Sequence, residues 1–220
     1  MGRALQKAKS ASTRQAILDA AAHVISEKGY SDATVDEIVK AAGVSKGVAY
    51  YHFKSKADIA TAILLSGLTQ LNDSFTEIIE NSKSASEALP KMFRSFVNQV
   101  VDHREFTRFY VHEIWRGGRV WSEELHKEDQ RTVTLISGQF LRAQDEGFVS
   151  HHSDSEFYAV AIVGLILTTS IYYFGDIKPH QALEKDQYME KIFDFVNHGT
   201  TRGNDRQALL NAYSSQSAFN

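Results

Sequence analysis

Lys46, Gly47, Val48, Tyr50, Tyr51 and His52 form the densest run of recognition chemistry in the sequence. An ammonium group, two phenols and an imidazole on one short segment can divide hydrogen bonds between phosphate oxygens and base edges. Ala49 and Phe53 are four residues apart, so on a helix they share a face and turn the other six outward. Two exposed tyrosines beside a lysine and a histidine make poor surface filler and suit a face that reads DNA. Rival chemistry fails on context. Gly43-x-Ser45-x-Gly47 has the spacing of a hydrolase nucleophile elbow, but that turn needs a preceding strand, and a capped helix precedes it here. The His151-His152 and His103/His112 pairs lack metal-ligand spacing and partners. With no cysteines, thiolate metal sites, disulfides and cysteine nucleophiles are excluded. No metal, no cofactor and no enzymatic turnover are expected.

The elements that must position this run are legible from caps. Thr34 opens a short helix through Val35, Ile38, Val39 and Ala42; Gly43 turns the chain, and Ser45 caps the next helix. Two helices parted by three residues around a glycine must cross steeply, as in a helix-turn-helix. The pattern Ser/Thr-x-x-Glu/Asp/Gln recurs at Ser12–Gln15, Thr34–Glu37, Ser55–Asp58, Ser84–Glu87 and Ser153–Glu156. Apolar spacing between the caps is helical, and sustained alternation is absent. The spacing predicts an all-α protein of about nine helices: roughly 12–28, 34–42, 46–53, 56–80, 85–103, 104–117, 123–146, 154–175 and 184–198. Residues 1–55 then form a three-helix DNA-binding domain, 56–200 a larger C-terminal helical domain for ligand and dimerisation, and 201–220 a polar tail. Charge agrees: residues 1–56 hold nine Lys/Arg against five Asp/Glu, for +4, while the rest carries −7. A basic head on an acidic body suggests that only the head meets a polyanion.

Residues 13–59 resemble the N-terminal domain of the TetR family of transcription regulators. The match runs through Ile17-Leu18-x-Ala20-Ala21, Lys28-Gly29-Tyr30, Thr34-Val35-x-x-Ile38, Ala42-Gly43-Val44-Ser45-Lys46-Gly47, Tyr50-Tyr51-His52-Phe53 and Lys54-x-Lys56, about a fifth of the chain. Ala49 departs from the leucine usual in the family. The resemblance implies that Thr34 and Ser45 place phosphates at helix N-termini, and that Lys46, Gly47 and Val48 enter the major groove. Tyr50, Tyr51 and His52 would share base and phosphate contacts, and Lys56 would meet backbone phosphate. Arg3, Lys7, Lys9 and Arg14 would add a flexible basic arm. It also implies a homodimer on an inverted-repeat operator, released when a small effector binds the body.

For the body only residue types speak. Phe93, Phe96, Phe109, Tyr110, Trp115 and Phe140, with Phe106 nearby, are core filler one by one, and together can line an apolar cavity. His112, Glu113, Arg116 and Gln139 are its candidate polar contacts. Stripes at Ile162, Leu165, Ile166, Thr169 and Tyr173, and at Tyr188, Met189, Ile192, Phe193 and Val196, suit a dimer-forming four-helix bundle. The uncharged run Phe157–Phe174 is 18 residues long and reaches the length of a spanning helix, yet it carries Thr168, Thr169, Ser170 and three tyrosines. It reads as a helix buried on most sides, in a core or a subunit interface, and no membrane partner is expected. The polar N-terminus Met1–Lys7 and the absence of cysteine point to the cytoplasm. The expected partners are double-stranded operator DNA and a small apolar or aromatic effector. The competing reading keeps the DNA head and gives the body a protein partner, as in a nucleoid or division factor.

Overall fold

Good helix formers run from Gly2 to Lys28 with no proline and no glycine after the first residue. The computed structural model of the chain, which describes residues 2–114, 122–149, 154–175 and 183–199, makes them one 27-residue helix, α1 (Gly2–Lys28). Ser12 therefore caps nothing. It lies inside α1, where the neighbouring Thr13 hydroxyl donates back to the Lys9 carbonyl at 2.9 Å. The segment of Arg3, Lys7, Lys9 and Arg14 is helix rather than flexible arm, because nothing in it offers the backbone a better bonding pattern than continued propagation.

Among the described residues all regular structure is helical. After α1 come α2 (Val35–Ala41), α3 (Lys46–His52), α4 (Lys56–Glu80), α5 (Ala85–Asp102), α6 (Arg104–Ile114), α7 (Glu123–Asp145), α8 (Ser155–Phe174) and α9 (Lys185–Gly199). Side-chain caps stand where the sequence places them: Ser55 Oγ accepts from Asp58 N and Ser84 Oγ from Glu87 N. At α8 the cap is Asp154, whose Oδ1 accepts from Glu156 N and Phe157 N at 3.0 Å, one residue beyond the expected Ser153. A carboxylate there meets both the orphan amides and the positive helix end.

Residues 1–182 form one unit and 183–220 a second. In the first, α1 buries Ile17, Leu18, Ala21, Val24 and Ile25 against α2 and α3, making the head. In the body α4 packs on α5 and α7, and α7 on α8. Phe75 and Phe96 meet edge to face at 6.2 Å, Phe93 and Phe140 at 6.4 Å, and Phe140 and Tyr158 at 5.7 Å. Burying each such ring stabilises the fold by about 1.5–3 kcal/mol. One polar cluster is sealed among them. Asn72, fully buried, donates to the Glu128 carbonyl and carboxylate, both at 2.8 Å, and accepts from the Thr132 hydroxyl at 2.9 Å. A satisfied buried amide of this kind locks the register of α4 against α7.

The apolar run in α8 is long and apolar enough to cross a membrane by length and composition. Within the chain it buries Ala159, Ile162, Ile166, Leu167 and Ser170, while Phe157, Val160, Ala161, Gly164, Thr168 and Tyr172 are exposed, so the chain's own core covers one side of it. In the second unit α9 buries Tyr188, Met189 and Ile192 and exposes Phe195.

Candidate nucleic-acid interface and effector cavity

The α2–α3 junction is built by local chemistry. Thr34 Oγ1 accepts from Glu37 N at 3.3 Å while the Glu37 carboxylate accepts from Thr34 N at 3.0 Å, a reciprocal capping box. Gly43, at φ +66°, closes α2: Val44 N donates to Val39 O and Gly43 N to Lys40 O, at 3.0 and 3.2 Å. This left-handed turn is costly for any residue with a Cβ. Ser45 then caps α3 through Val48 N at 3.3 Å. Ala49 and Phe53 plug into the head at 1% and 5% exposure, and the Arg14 guanidinium lies 5.2 Å from the Phe53 ring centre.

The outward face of α3 is the predicted one. Ser45, Lys46, Gly47, Val48, Tyr50 and Tyr51 are exposed, Tyr51 by 81%, and His52 is half-buried with Tyr51 edge-on to it at 5.1 Å. Lys46 pairs with Asp36 of α2 at 2.7 Å, which raises its pKa, so a phosphate must compete with a carboxylate for it. Glu37 is held at a pKa of about 2, first by the Lys28 ammonium at 2.6 Å and then by the Thr34 amide and hydroxyl. The Thr34 hydroxyl, exposed, is itself bonded to that carboxylate at 2.9 Å.

Lys56 is placed differently from expectation. Its Nζ donates to the carbonyls of Tyr30, Ser31 and Ala33 at 2.7, 3.1 and 2.9 Å and lies 4.5 Å from the Tyr30 ring centre. All three ammonium donors are used, leaving none for a phosphate. Lys56 ties the start of α4 to the α1–α2 turn, and Tyr30 continues the tie by stacking on Phe109 of α6 at 5.9 Å.

In the body a cavity of about 40 Å³ lies between α4, α5, α6, α7 and α8. Phe96 and Tyr110 line it as expected, and the Tyr110 hydroxyl donates to Asp129 at 2.5 Å. The other expected contacts are elsewhere. Phe93 and Phe140 face each other in the α5–α7 core, and Phe109 faces the head. Gln139 is buried with Oε1 unbonded, and Glu113 is buried, but neither lines the cavity. Trp115, Arg116 and the His112 side chain lie outside the described residues. Phe106, named with these aromatics, lines it too, while composition missed Gly67, Thr107, Asp129 and Thr132, which also do. The usable signal was a lone glycine within α4, where helix interiors disfavour glycine by about 1 kcal/mol.

Of the expected interface residues, Ile162 and Ile166 are 4% and 0% exposed within a single chain, and Tyr188, Met189 and Ile192 no more than 4%. Ile162 and Ile166 are thus taken up by packing within the first unit. Leu165, Thr169, Tyr173, Phe193 and Val196 are half-buried.

Residues 17–63 match the sequence profile of bacterial regulatory proteins of the tetR family. The transcriptional regulator SrpR of Pseudomonas putida is 44% identical over 69 residues, 31% of this chain and 32% of that regulator. The chain thus spans about a third of this relative's length. The transcriptional activator FasR of Mycolicibacterium smegmatis is 26% identical over 190 residues, covering 83% of this chain and 80% of that protein. Among solved structures, FadR from Bacillus subtilis in complex with stearoyl-CoA superposes with a TM-score of 0.72 at 20% identity, over 82% of this chain and 96% of that one.

Proposed function

We propose that this chain, whose residues 17–63 match the tetR family profile, is a homodimeric repressor of that kind whose head, residues 1–55, reads an inverted-repeat operator and whose body, 56–200, releases it on binding an apolar effector. The observation that carries this is the two-sided character of α3. Ala49 and Phe53 are buried while Val48, Tyr50 and Tyr51 are exposed by 39%, 48% and 81%, an orientation that a merely structural hairpin has no use for. In this reading Lys46, Gly47 and Val48 enter the major groove, Tyr50, Tyr51 and His52 divide base and phosphate contacts, and Thr34 and Ser45 meet phosphate at the helix starts. Lys56 drops out of that set and holds the head in shape.

The second copy sits on the exposed face of α8. Phe157, Ala161, Gly164, Thr168 and Tyr172 follow one another at three- and four-residue steps. Small residues in the middle let two symmetry-related helices approach closely, with the aromatic ends packing across the crossing. A Cβ at Gly164 would meet nothing within 4 Å, so that side is open. A two-fold dimer holds its recognition helices one DNA turn, about 34–36 Å, or a multiple apart.

An aliphatic or aromatic effector suits the apolar lining of the cavity, and the stearoyl-CoA held by FadR of Bacillus subtilis supports an acyl chain. The effector acts only through its differential affinity for DNA-competent and released states. Site selection from random duplex DNA tests the whole reading. The wild type is expected to enrich an inverted repeat, and the Lys46→Ala/Tyr51→Ala variant to lose it while melting like the wild type. Sequence-blind, salt-sensitive binding by the wild type would sink the reading. Loss of the repeat on adding stearoyl-CoA marks release, whereas binding only in its presence would make the protein an activator by corepression.

A further inference from the structure

Gly67 lies in the middle of α4, where alanine would make a better helix. Its neighbour explains it: a Cβ built there would stand 2.3 Å from Phe106 Cζ and 2.4 Å from Cε2. The ring of Phe106 thus rests on bare backbone of α4, stacked on Tyr110 with centres 6.0 Å apart and planes at 11°. With that ring in place the cavity is about 40 Å³, room for a few waters, whereas small-molecule sites run to about 300 Å³ and more. Phe106 is only half-buried, so it has a way out towards solvent.

We propose that Phe106 is a built-in occupant of the effector seat, holding the place that an effector's apolar end takes over, so that the ring, once expelled, pushes on α6 and disfavours the DNA-binding state. The incoming group is an uncharged ring or chain end. Among the described lining residues the charged group is the carboxylate of Asp129, already accepting from Tyr110, and an anion brought against it meets like charge. Any polar head stays outside. Displacing the ring moves α6, whose Phe109, three residues on, carries Tyr30. Tyr30 in turn flanks the Lys56 ammonium that grips the α1–α2 turn. A ring expelled at the cavity is thereby felt at the mount of the head.

The inference rests on the repressor reading, and its test separates the two. Full-length Gly67→Ala, Phe106→Ala and the double variant are titrated with the selected operator duplex and, independently, with the neutral dye Nile red. Gly67→Ala drives the ring out, and operator binding should weaken about tenfold with no effector present. In the double variant the clash is gone and operator affinity should return to within about threefold of the wild type. Phe106→Ala should bind Nile red about tenfold more tightly than the wild type, since an apolar cavity of this kind stays dry and takes apolar guests. Gly67→Ala with unaltered operator affinity, or a defect that persists in the double variant, overturns the proposal. If Gly67→Ala does not fold, the dye decides: no gain in affinity for Phe106→Ala overturns it. A wild type that selects no inverted repeat refutes the repressor reading, and the dye titration still judges the seat.

Discussion

The outward face of α3 and the core of the body use aromatic rings in opposite ways. Tyr50 and Tyr51 stand out from α3, whereas Phe75, Phe93, Phe96 and Phe140 are buried in the body at 4% exposure or less. The head is held by polar caps and ion pairs around a small apolar centre, so its two short helices are defined almost wholly by local bonds. The body is held by rings meeting across helices far apart in sequence, with one buried amide fixing register. A rigid head with side chains turned outward can bind without changing shape. A body whose rings pack around a small void can exchange one apolar occupant for another.

The largest expected effect probes the body side of this contrast. Phe75→Ala removes a fully buried ring and should cost about 3–5 kcal/mol, lowering the melting temperature by roughly 10 °C. Scanning calorimetry should show one transition, because α4 joins both parts. Two separated transitions would mean the head stands alone and the comparison is one of independent domains.

Next comes the tie between them. Lys56→Met deletes charge-assisted bonds to three carbonyls and should destabilise the head by about 2 kcal/mol. The salt dependence of operator binding should keep its slope. If Lys56 neutralised a phosphate instead, the log–log slope would fall by about 0.9.

A smaller effect sharpens the outward face. Asp36→Asn frees Lys46 from its exposed partner, a pair worth at most about 1 kcal/mol. Operator affinity measured by fluorescence anisotropy should rise by about twofold to fivefold, with little change in melting. An unchanged affinity would remove Lys46 from the contact set.

The smallest effect concerns acid. Glu37 has its pKa lowered from 4.5 to about 2 in the folded head, so its contribution is fully present above 4.5 and is lost as pH falls towards 2. Glu37→Gln should flatten the pH dependence of melting in that window and leave it parallel to the wild type above pH 6. A variant as acid-sensitive as the wild type would assign the effect to other carboxylates.

The helix order and the outward face of α3 were legible because their causes are local. Thr34, Gly43, Ser45 and Ser55 each act within four or five residues, and Ala49 and Phe53 share a face by helical period alone. The start of α1 was missed at Ser12 because a cap can form only where a helix is not already propagating from upstream. Lys56 was misassigned for a different reason: a lysine opening a helix beside a basic surface suits a phosphate or a set of carbonyls equally well until the turn that offers the carbonyls is placed.

The sequence by itself determined the class of fold, the helix-turn-helix and which side of α3 looks outward, since hydrophobic period and capping are properties of neighbouring residues. Only the tertiary structure decided which aromatics line the cavity, that Ile162 and Ile166 belong to the core while Gly164 and Thr168 face out, and that Phe106 rests on Gly67. Residues 67 and 106 are adjacent only because α4 and α6 pack, and composition does not record which ring meets which backbone.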